Sequence, residues 1–514
     1  MDRIQGFYAG KTALIVGATG FLGKPLVEKL LRGAPDIRQI YVLIREKRDA
    51  RGRTVDAQER FEQEMLPIGV FDRLREEWGA DFDARVRDKV KAVAGDIGLP
   101  KLGMSDEEYA ALASEVQIVV NSAAVVVFDS PLDEALEMNA EAPRRIVQFA
   151  KECGGAVLAH ISTAYVNAGN PNAAPEAALP TDQERPDGWN GPVLPHDVDK
   201  EIETLKRACE EEEYASEEKR QAALVKAGMD RARERGWSDT YAYTKALGER
   251  VTELSRGDLP VLIVRPSIIE SSLQEPDPGW IDGFRMADPI IAAYGKGRLP
   301  DFPLNPDVTA DLIPVDYVVN AALTAIVETA EKGGLRYYHV ASGAENPLSY
   351  RNLYRYSRDY FLQWPMTDKS GSPVAVPEFT FPSIEAYRAQ LRRKLKLLGV
   401  FDQLLSLIPS KRMKRRRQRL GLLRNAGERL LYYTVIYGPY IQNRYLFDTS
   451  NTRAMIERQT EEERERWGFD VSKIDWRAYL MEAHIPGLKR NVLKISDDAE
   501  HVDRPMSEGS ESWT

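Results

Sequence analysis

Cysteine is almost missing: Cys153 and Cys209 are the two thiols in 514 residues. Two cysteines cannot build a disulfide framework, so a reducing compartment is expected and both thiols read as structural. Long apolar runs are missing as well. No stretch approaches the ~20 apolar residues that a spanning helix needs, and the longest, residues 430–441, is interrupted by Gly438-Pro439. The opening Met1-Asp2-Arg3-Ile4-Gln5-Gly6-Phe7-Tyr8 has no apolar core of the secretory kind, so no signal is expected there. A basic excess is absent, and a net charge of −9 argues against nucleic-acid binding. The five histidines show no metal-ligand spacing, so no metal is expected, and His160 reads as a packed strand residue. What remains, 43% hydrophobic and 29% charged, describes a globular cytoplasmic protein of two domains, or of one large domain with insertions.

One dense stretch stands against these absences. Thr12-Ala13-Leu14-Ile15-Val16 reads as a strand, Gly17-Ala18-Thr19-Gly20-Phe21-Leu22-Gly23 as a turn, and residues 24–32 as an amphipathic helix. Gly17 and Gly20 let the backbone turn tightly and approach a pyrophosphate, which rests on the free N–H groups and positive dipole end of the helix. Gly23 lets helix and strand pack closely. Thr19, Phe21 and Leu22 belong to the same cofactor turn. The spacing is GxxGxxG and no Gly-Lys-Ser/Thr follows, so a mononucleotide loop is disfavoured.

The next apolar run, residues 39–44, ends at Arg45-Glu46-Lys47-Arg48. An enzyme that prefers NAD places an acid at this strand end to hold the ribose 2′-hydroxyl, whereas an arginine accommodates a 2′-phosphate. Arg45 stands in the acid's place, which points to NADPH. Arg48, and Arg60 on the charged helix that follows, are further phosphate candidates, and a solvated loop is the alternative. Residues 90–97 read as a third strand ending in Gly95-Asp96-Ile97, residues 116–124 as a fourth ending in Asn121-Ser122-Ala123-Ala124, and residues 156–161 as a fifth delivering Ser162 and Thr163. Strands alternating with helices, each nearly continuous in apolar residues, predict an α/β fold with a doubly wound parallel sheet. Ligands in such sheets bind at the carboxyl ends of the strands. Asp96 and Ile97 are then expected near the adenine, with Ala123 and Ala124 letting the cofactor pass closely.

A Pro/Ala/Asn-rich loop and a long charged helical pattern, about 197–234, precede Tyr241-Ala242-Tyr243-Thr244-Lys245. Tyr241 and Lys245 lie one helical turn apart on one face. An ammonium beside the phenol is expected to lower its pKa and make it a usable proton donor, while the Thr163 hydroxyl holds a carbonyl oxygen.

In this order, the glycine turn, Asp96, Asn121-Ser122-Ala123-Ala124, Asn139, Thr163 and the Tyr241/Lys245 pair resemble the extended short-chain dehydrogenase/reductase superfamily. The resemblance implies a Rossmann sheet of about seven strands, Tyr241 as general acid and Lys245 on the nicotinamide ribose. It also implies Thr163, or else Ser162, steadying the substrate oxygen, and Asn139 in the proton-relay region. A sixth strand, residues 261–268, brings Pro266, Ser267 and Ile268 to the nicotinamide side. Within the superfamily, the motifs at residues 121–132, 160–167, 275–282 and 311–316, with the gap of 78 positions from Thr163 to Tyr241, are similar to alcohol-forming fatty acyl-CoA reductases. That similarity implies a long-chain acyl-CoA substrate, reduced through an aldehyde to a fatty alcohol. It covers roughly residues 8–365 and extends more loosely to Phe447-Asp448-Thr449-Ser450-Asn451. A reductase stopping at the aldehyde and a nucleotide-sugar epimerase or dehydratase are the alternatives.

Past about residue 385 the sequence turns basic and helical, peaking at Lys411-Arg412-Met413-Lys414-Arg415-Arg416-Arg417-Gln418-Arg419 between leucine-rich stretches. Three readings stand: peripheral contact with an anionic membrane, contact with the phosphates of CoA, or a solvated helix face. No hydrophobic tail follows, so no integral anchor is expected, and the oligomeric state stays open. The expected division is a reductase domain at 1–375 with insertions at about 170–238 and 272–315, a helical accessory domain at 376–495, and a disordered tail at 496–514.

Overall fold

The computed structural model describes residues 2–49, 52–167, 173–210, 214–407 and 410–495. The tail expected at 496–514 lies outside the described residues, as do 168–172 of the loop after the fifth strand. Seven strands form one sheet: β1 (Thr12–Val16), β2 (Gln39–Ile44), β3 (Val90–Ala94), β4 (Ile118–Asn121), β5 (Val157–Ile161), β6 (Val261–Pro266) and β7 (Leu335–Val340). Their spatial order is β7-β6-β5-β4-β1-β2-β3, and every neighbouring pair is parallel. β1, β4, β5 and β6 are buried at every residue, as a sheet covered on both faces requires.

The register places the site. Val16 pairs with Leu43 on one side and with Asn121 on the other, so the glycine turn and the end of β4 emerge side by side. The strand order reverses between β1 and β4. A ligand crevice forms at such a switch point, at the carboxyl ends of the strands.

Helix α1 (Gly23–Gly33) covers β1 and departs from the pattern expected of it. Its Lys24, Glu28 and Lys29 are buried. Lys29 is ion-paired to Glu275 and donates to the Arg466 carbonyl, Arg32 pairs with Glu28 at 2.7 Å and Glu275 at 2.8 Å, and Lys24 pairs with Asp282. Their acidic partners Asp282 and Glu275 lie more than 200 residues downstream. Helix α2 (Ala142–Glu152) packs on the opposite face. The charged pattern at 197–234 forms two helices, α3 (Val198–Glu210) and α4 (Glu217–Glu234), which pack with helix α5 (Thr240–Ser255) in a satellite core.

The chain after residue 440 returns to the sheet. Met455, Trp467, Tyr479 and Ile485 share one core with Ile15 of β1 and Val318 of α6 (Val315–Lys332). Gly33 makes room for the Trp467 ring, since a Cβ there would lie 2.6 Å from it. Helices α7 (Ile384–Ser406) and α8 (Lys411–Ile436) pack on each other as a long hairpin, leaving Leu397, Phe401, Leu404, Leu407, Leu422 and Leu423 exposed. Among the described residues no helix is long and apolar enough to cross a membrane.

Candidate active site

The glycine turn is tight for two different reasons. Gly17 has φ +84°, and a Cβ on it would lie 2.7 Å from the Ala123 nitrogen; a Cβ on Gly23 would lie 2.3 Å from the Gly17 carbonyl. Both are demanded by the protein's own packing. Gly20 is not: its φ is not positive, and a Cβ there would meet only the Gly17 oxygen, at 3.1 Å. A bare backbone at this position suits close approach by a ligand. Helix α1 begins with no side-chain cap; its Lys24 N–H donates to the Gly20 carbonyl at 3.2 Å and Pro25 has no N–H, so the positive dipole end of the helix is what meets an anion. The turn therefore fits the diphosphate of a dinucleotide.

Around it, Ser122 Oγ donates to the Val16 carbonyl at 2.9 Å, tying the end of β4 to the end of β1. Asp96 shapes its loop, accepting from the Gly98 N–H at 2.9 Å, while Ile97 is buried and its carbonyl accepts from Arg145 at 3.1 Å. At the end of β2, Arg45 and Arg48 are exposed, and no ion pair engages either among the described residues. Arg60 pairs with Glu64 at 2.7 Å and donates to the Arg45 carbonyl, fixing that strand end. Beyond β6, the N–H groups of Ser267 and Ile268 donate to Val340 and Asp311, each at 3.0 Å, and so hold the chain after Pro266 at the sheet edge.

Three groups converge at the end of β5. Thr163 neighbours the Tyr241 phenol and opposes the rise of its pKa, and its Oγ1 accepts from the Tyr165 N–H at 3.3 Å. Lys245, buried one turn along α5, donates to the Ile161 carbonyl at 2.7 Å. Ser162 is buried, and its Oγ has no partner among the described residues. His160 is buried, with Nδ1 3.2 Å from the Asn121 side chain, as a packed strand residue should be. The electrostatics reverse one expectation. Burial, and then Asp239, raise the Tyr241 pKa despite the opposing Thr163 contact, and burial pushes Lys245 down to about 8. With its ammonium turned to a backbone carbonyl, the lysine does not make Tyr241 a phenolate, and the phenol keeps its proton at neutral pH. Burial also pushes the Cys153 thiol up to about 12 and Cys209 up to about 11, which suits unreactive cysteines.

Asn139 sits in a π-helical turn, Glu137–Glu141, and its side chain is fully engaged. Its amide exchanges two bonds with the Val125 backbone, at 2.9 and 3.0 Å, and donates to Thr244 Oγ1 at 3.1 Å. It holds the chain after β4 beside helix α5. Gly248 allows that approach, since a Cβ there would lie 1.9 Å from the Asn139 carbonyl.

Sequence reasoning missed the wall around Tyr241. Phe128 stands edge-on to Tyr241 at 5.9 Å and to Tyr437 at 5.6 Å, and packs against Tyr440 at 5.2 Å. Asp239, the N-cap of α5, accepts from the Ala242 N–H at 2.8 Å and from the Tyr440 hydroxyl. The C-terminal region thus reaches Tyr241. Asp239 was recoverable from its position ahead of the helix; Tyr437 and Tyr440 carry no local signal.

The family described as male sterility protein matches this chain twice, its NAD-binding part over residues 15–322 and its second part over 400–495. Fatty acyl-CoA reductase 2, chloroplastic, of Arabidopsis thaliana is 36% identical over 96% of the chain and 80% of its own length. The chain belongs to the fatty acyl-CoA reductase family. The alcohol-forming fatty acyl-CoA reductase of Simmondsia chinensis is 33% identical, over 96% of this reductase and 99% of its own length. In fold, the reductase is similar to the terminal R domain of the myxalamid PKS-NRPS pathway, with TM-score 0.58 and 20% identity over 94% of this chain and 91% of that one. It is an oxidoreductase with a nicotinamide-cofactor domain.

Proposed function

We propose that the protein reduces long-chain acyl-CoA with NADPH to the fatty alcohol and free CoA, through an aldehyde that stays bound. The observation that carries this is the meeting of the Thr163 hydroxyl, the protonated Tyr241 phenol and buried Lys245 at the sheet edge where the glycine turn ends. The turn at 17–23 and the α1 N-terminus would hold the diphosphate, and Lys245 the nicotinamide ribose. Arg45, Arg48 and Arg60 would take the 2′-phosphate; the unpaired guanidinium groups of the first two support NADPH over NADH. The bound cofactor supplies hydride to the thioester carbonyl carbon. Thr163 holds the carbonyl oxygen, and Tyr241 gives it a proton as charge develops. Collapse of the hemithioacetal expels CoA, and the same pair serves the aldehyde in a second round. The aromatic wall around Tyr241 excludes water from the reacting carbonyl.

The acyl chain has an apolar approach. Val126 and Val127 are 63% and 55% exposed beside the site, and the root of the hairpin adds exposed Tyr432 and Val435, with the Tyr432 hydroxyl bonded to Asp129 at 2.6 Å. The hairpin tip, with its bare leucines and the basic segment 411–419, would rest on an anionic membrane and deliver substrate along this lip. Incubation with palmitoyl-CoA and excess NADPH tests the reading. Two NADPH consumed per CoA released is expected; one would mean release of the aldehyde, and none would remove acyl-CoA reduction.

A further inference from the structure

Away from the sheet edge, three ionisable side chains from distant parts of the chain meet in the interior. Glu270 ends the short strand Ile268–Glu270, Asp288 opens the helix Asp288–Gly295, and His484 closes the π-helical segment Tyr479–His484. Their exposures are 0%, 0% and 1%. One ligand atom from each lies within 4.8 Å of the other two.

Their hydrogen bonding is incomplete at these very atoms. Glu270 Oε2, Asp288 Oδ1 and His484 Nε2 make no hydrogen bond among the described residues. His484 Nε2 and Asp288 Oδ1 are 3.0 Å apart yet not in hydrogen-bond geometry. The remaining atoms are engaged: Asp288 Oδ2 accepts from the Arg285 N–H at 2.7 Å, Glu270 Oε1 from the Ala287 N–H at 3.5 Å, and His484 Nδ1 meets Ser271 Oγ at 3.0 Å. Arg285 offsets part of the negative charge, with its guanidinium stacked 3.7 Å from the Phe21 ring. Buried polar atoms without partners are costly, and three facing one another call for a shared one.

The geometry suits a cation. Two tetrahedral ligands each about 2.1 Å from one zinc ion stand about 3.4 Å apart, so His484 and Asp288 at 3.0 Å need to open by only a few tenths of an ångström to admit one. A serine hydroxyl on Nδ1 leaves Nε2 as the ligating nitrogen, the usual outer-shell device for orienting a metal-binding histidine. One imidazole nitrogen and two carboxylate oxygens form a mixed set that suits zinc and similar transition ions better than calcium or magnesium. We propose that Glu270, Asp288 and His484 bind one divalent transition-metal ion of the zinc type, which ties the C-terminal helices to the reductase core. The ion is structural, and its ligands are separate from the Thr163–Tyr241–Lys245 set.

The full chain, stripped with dipicolinate and titrated with ZnCl2, tests this by metal analysis of the protein after gel filtration and by its melting temperature. The expected result is one equivalent of zinc per chain and a higher Tm on loading. Glu270→Gln and His484→Gln should lose the equivalent while keeping the wild-type circular dichroism spectrum. Ser271→Ala, which removes no ligand, should weaken zinc binding about 10-fold or more. A wild-type chain that takes up no zinc and melts unchanged would overturn the site, showing that the cluster is satisfied by protons. Stoichiometric zinc in both ligand variants would also overturn it. Should those two variants fail to fold, the wild-type titration and Ser271→Ala decide the matter.

Discussion

Burial and Asp239 hold the Tyr241 phenol above the ordinary tyrosine value, so it carries its proton at neutral pH, as the proposed role of proton donor requires. Tyr241→Phe should lower turnover about 100-fold or more while sparing cofactor binding, measured by steady-state rates beside NADPH fluorescence titration. Lys245 sets the alkaline limit. Its folded pKa is about 8 against 10.5 for the free side chain. The unfolded chain therefore binds more protons between these values, and stability rises with pH across that window. Activity that needs the ammonium falls over the same range. A profile of kcat/KM for NADPH should turn down near pH 8, because that parameter reports the free enzyme. At the end of β2, Arg45→Asp should erode the preference for NADPH over NADH, read as the ratio of the two kcat/KM values. These residues were legible because each follows a local rule: a glycine turn after a strand, a hydroxyl at a strand end, a tyrosine and lysine four apart on a helix. The raised phenol pKa was not legible, because it depends on Asp239 and on the packing around the ring.

Elements show the same divide. The strands could be read because each is a short, nearly unbroken apolar run between turn signals. Helix α1 was legible as amphipathic, but the burial of Lys24 and Lys29 was not, because Glu275, Asp282 and the Arg466 carbonyl that engage them are distant in sequence. The hairpin of α7 and α8 was legible as basic and helical, and the structure adds what composition could not, a row of uncovered apolar residues along the same helices. Replacing Phe401 and Leu404 together with serine should reduce co-sedimentation with anionic phospholipid vesicles several-fold and leave turnover of a short, soluble acyl-CoA near its wild-type rate. The lipid-binding measurement checks the membrane role, and the rate confirms that the catalytic edge is intact. Vesicle binding that persists at the wild-type level would leave these residues as an ordinary solvated face.

Over the whole molecule, the order of the sheet brings the glycine turn and the end of β4 to one switch point, with β5 beside them and α5 laid across. The sequence carried that layout, since strand–helix alternation leaves few topologies. It did not carry the return of the C-terminal third, whose Trp467 and Met455 join the sheet's core and whose Tyr437 and Tyr440 pack on Phe128 beside Tyr241. Contacts between such distant positions arise from tertiary packing and leave no periodicity behind. In the proposed reaction one nicotinamide edge, served by Thr163, Tyr241 and Lys245, reduces the same carbon twice. Turnover of palmitoyl-CoA with NADPH deuterated on the transferred position, followed by mass spectrometry of the lipid product, tests it most directly. The account predicts hexadecanol carrying two deuterium atoms at carbon 1; a product without deuterium at that carbon would contradict it.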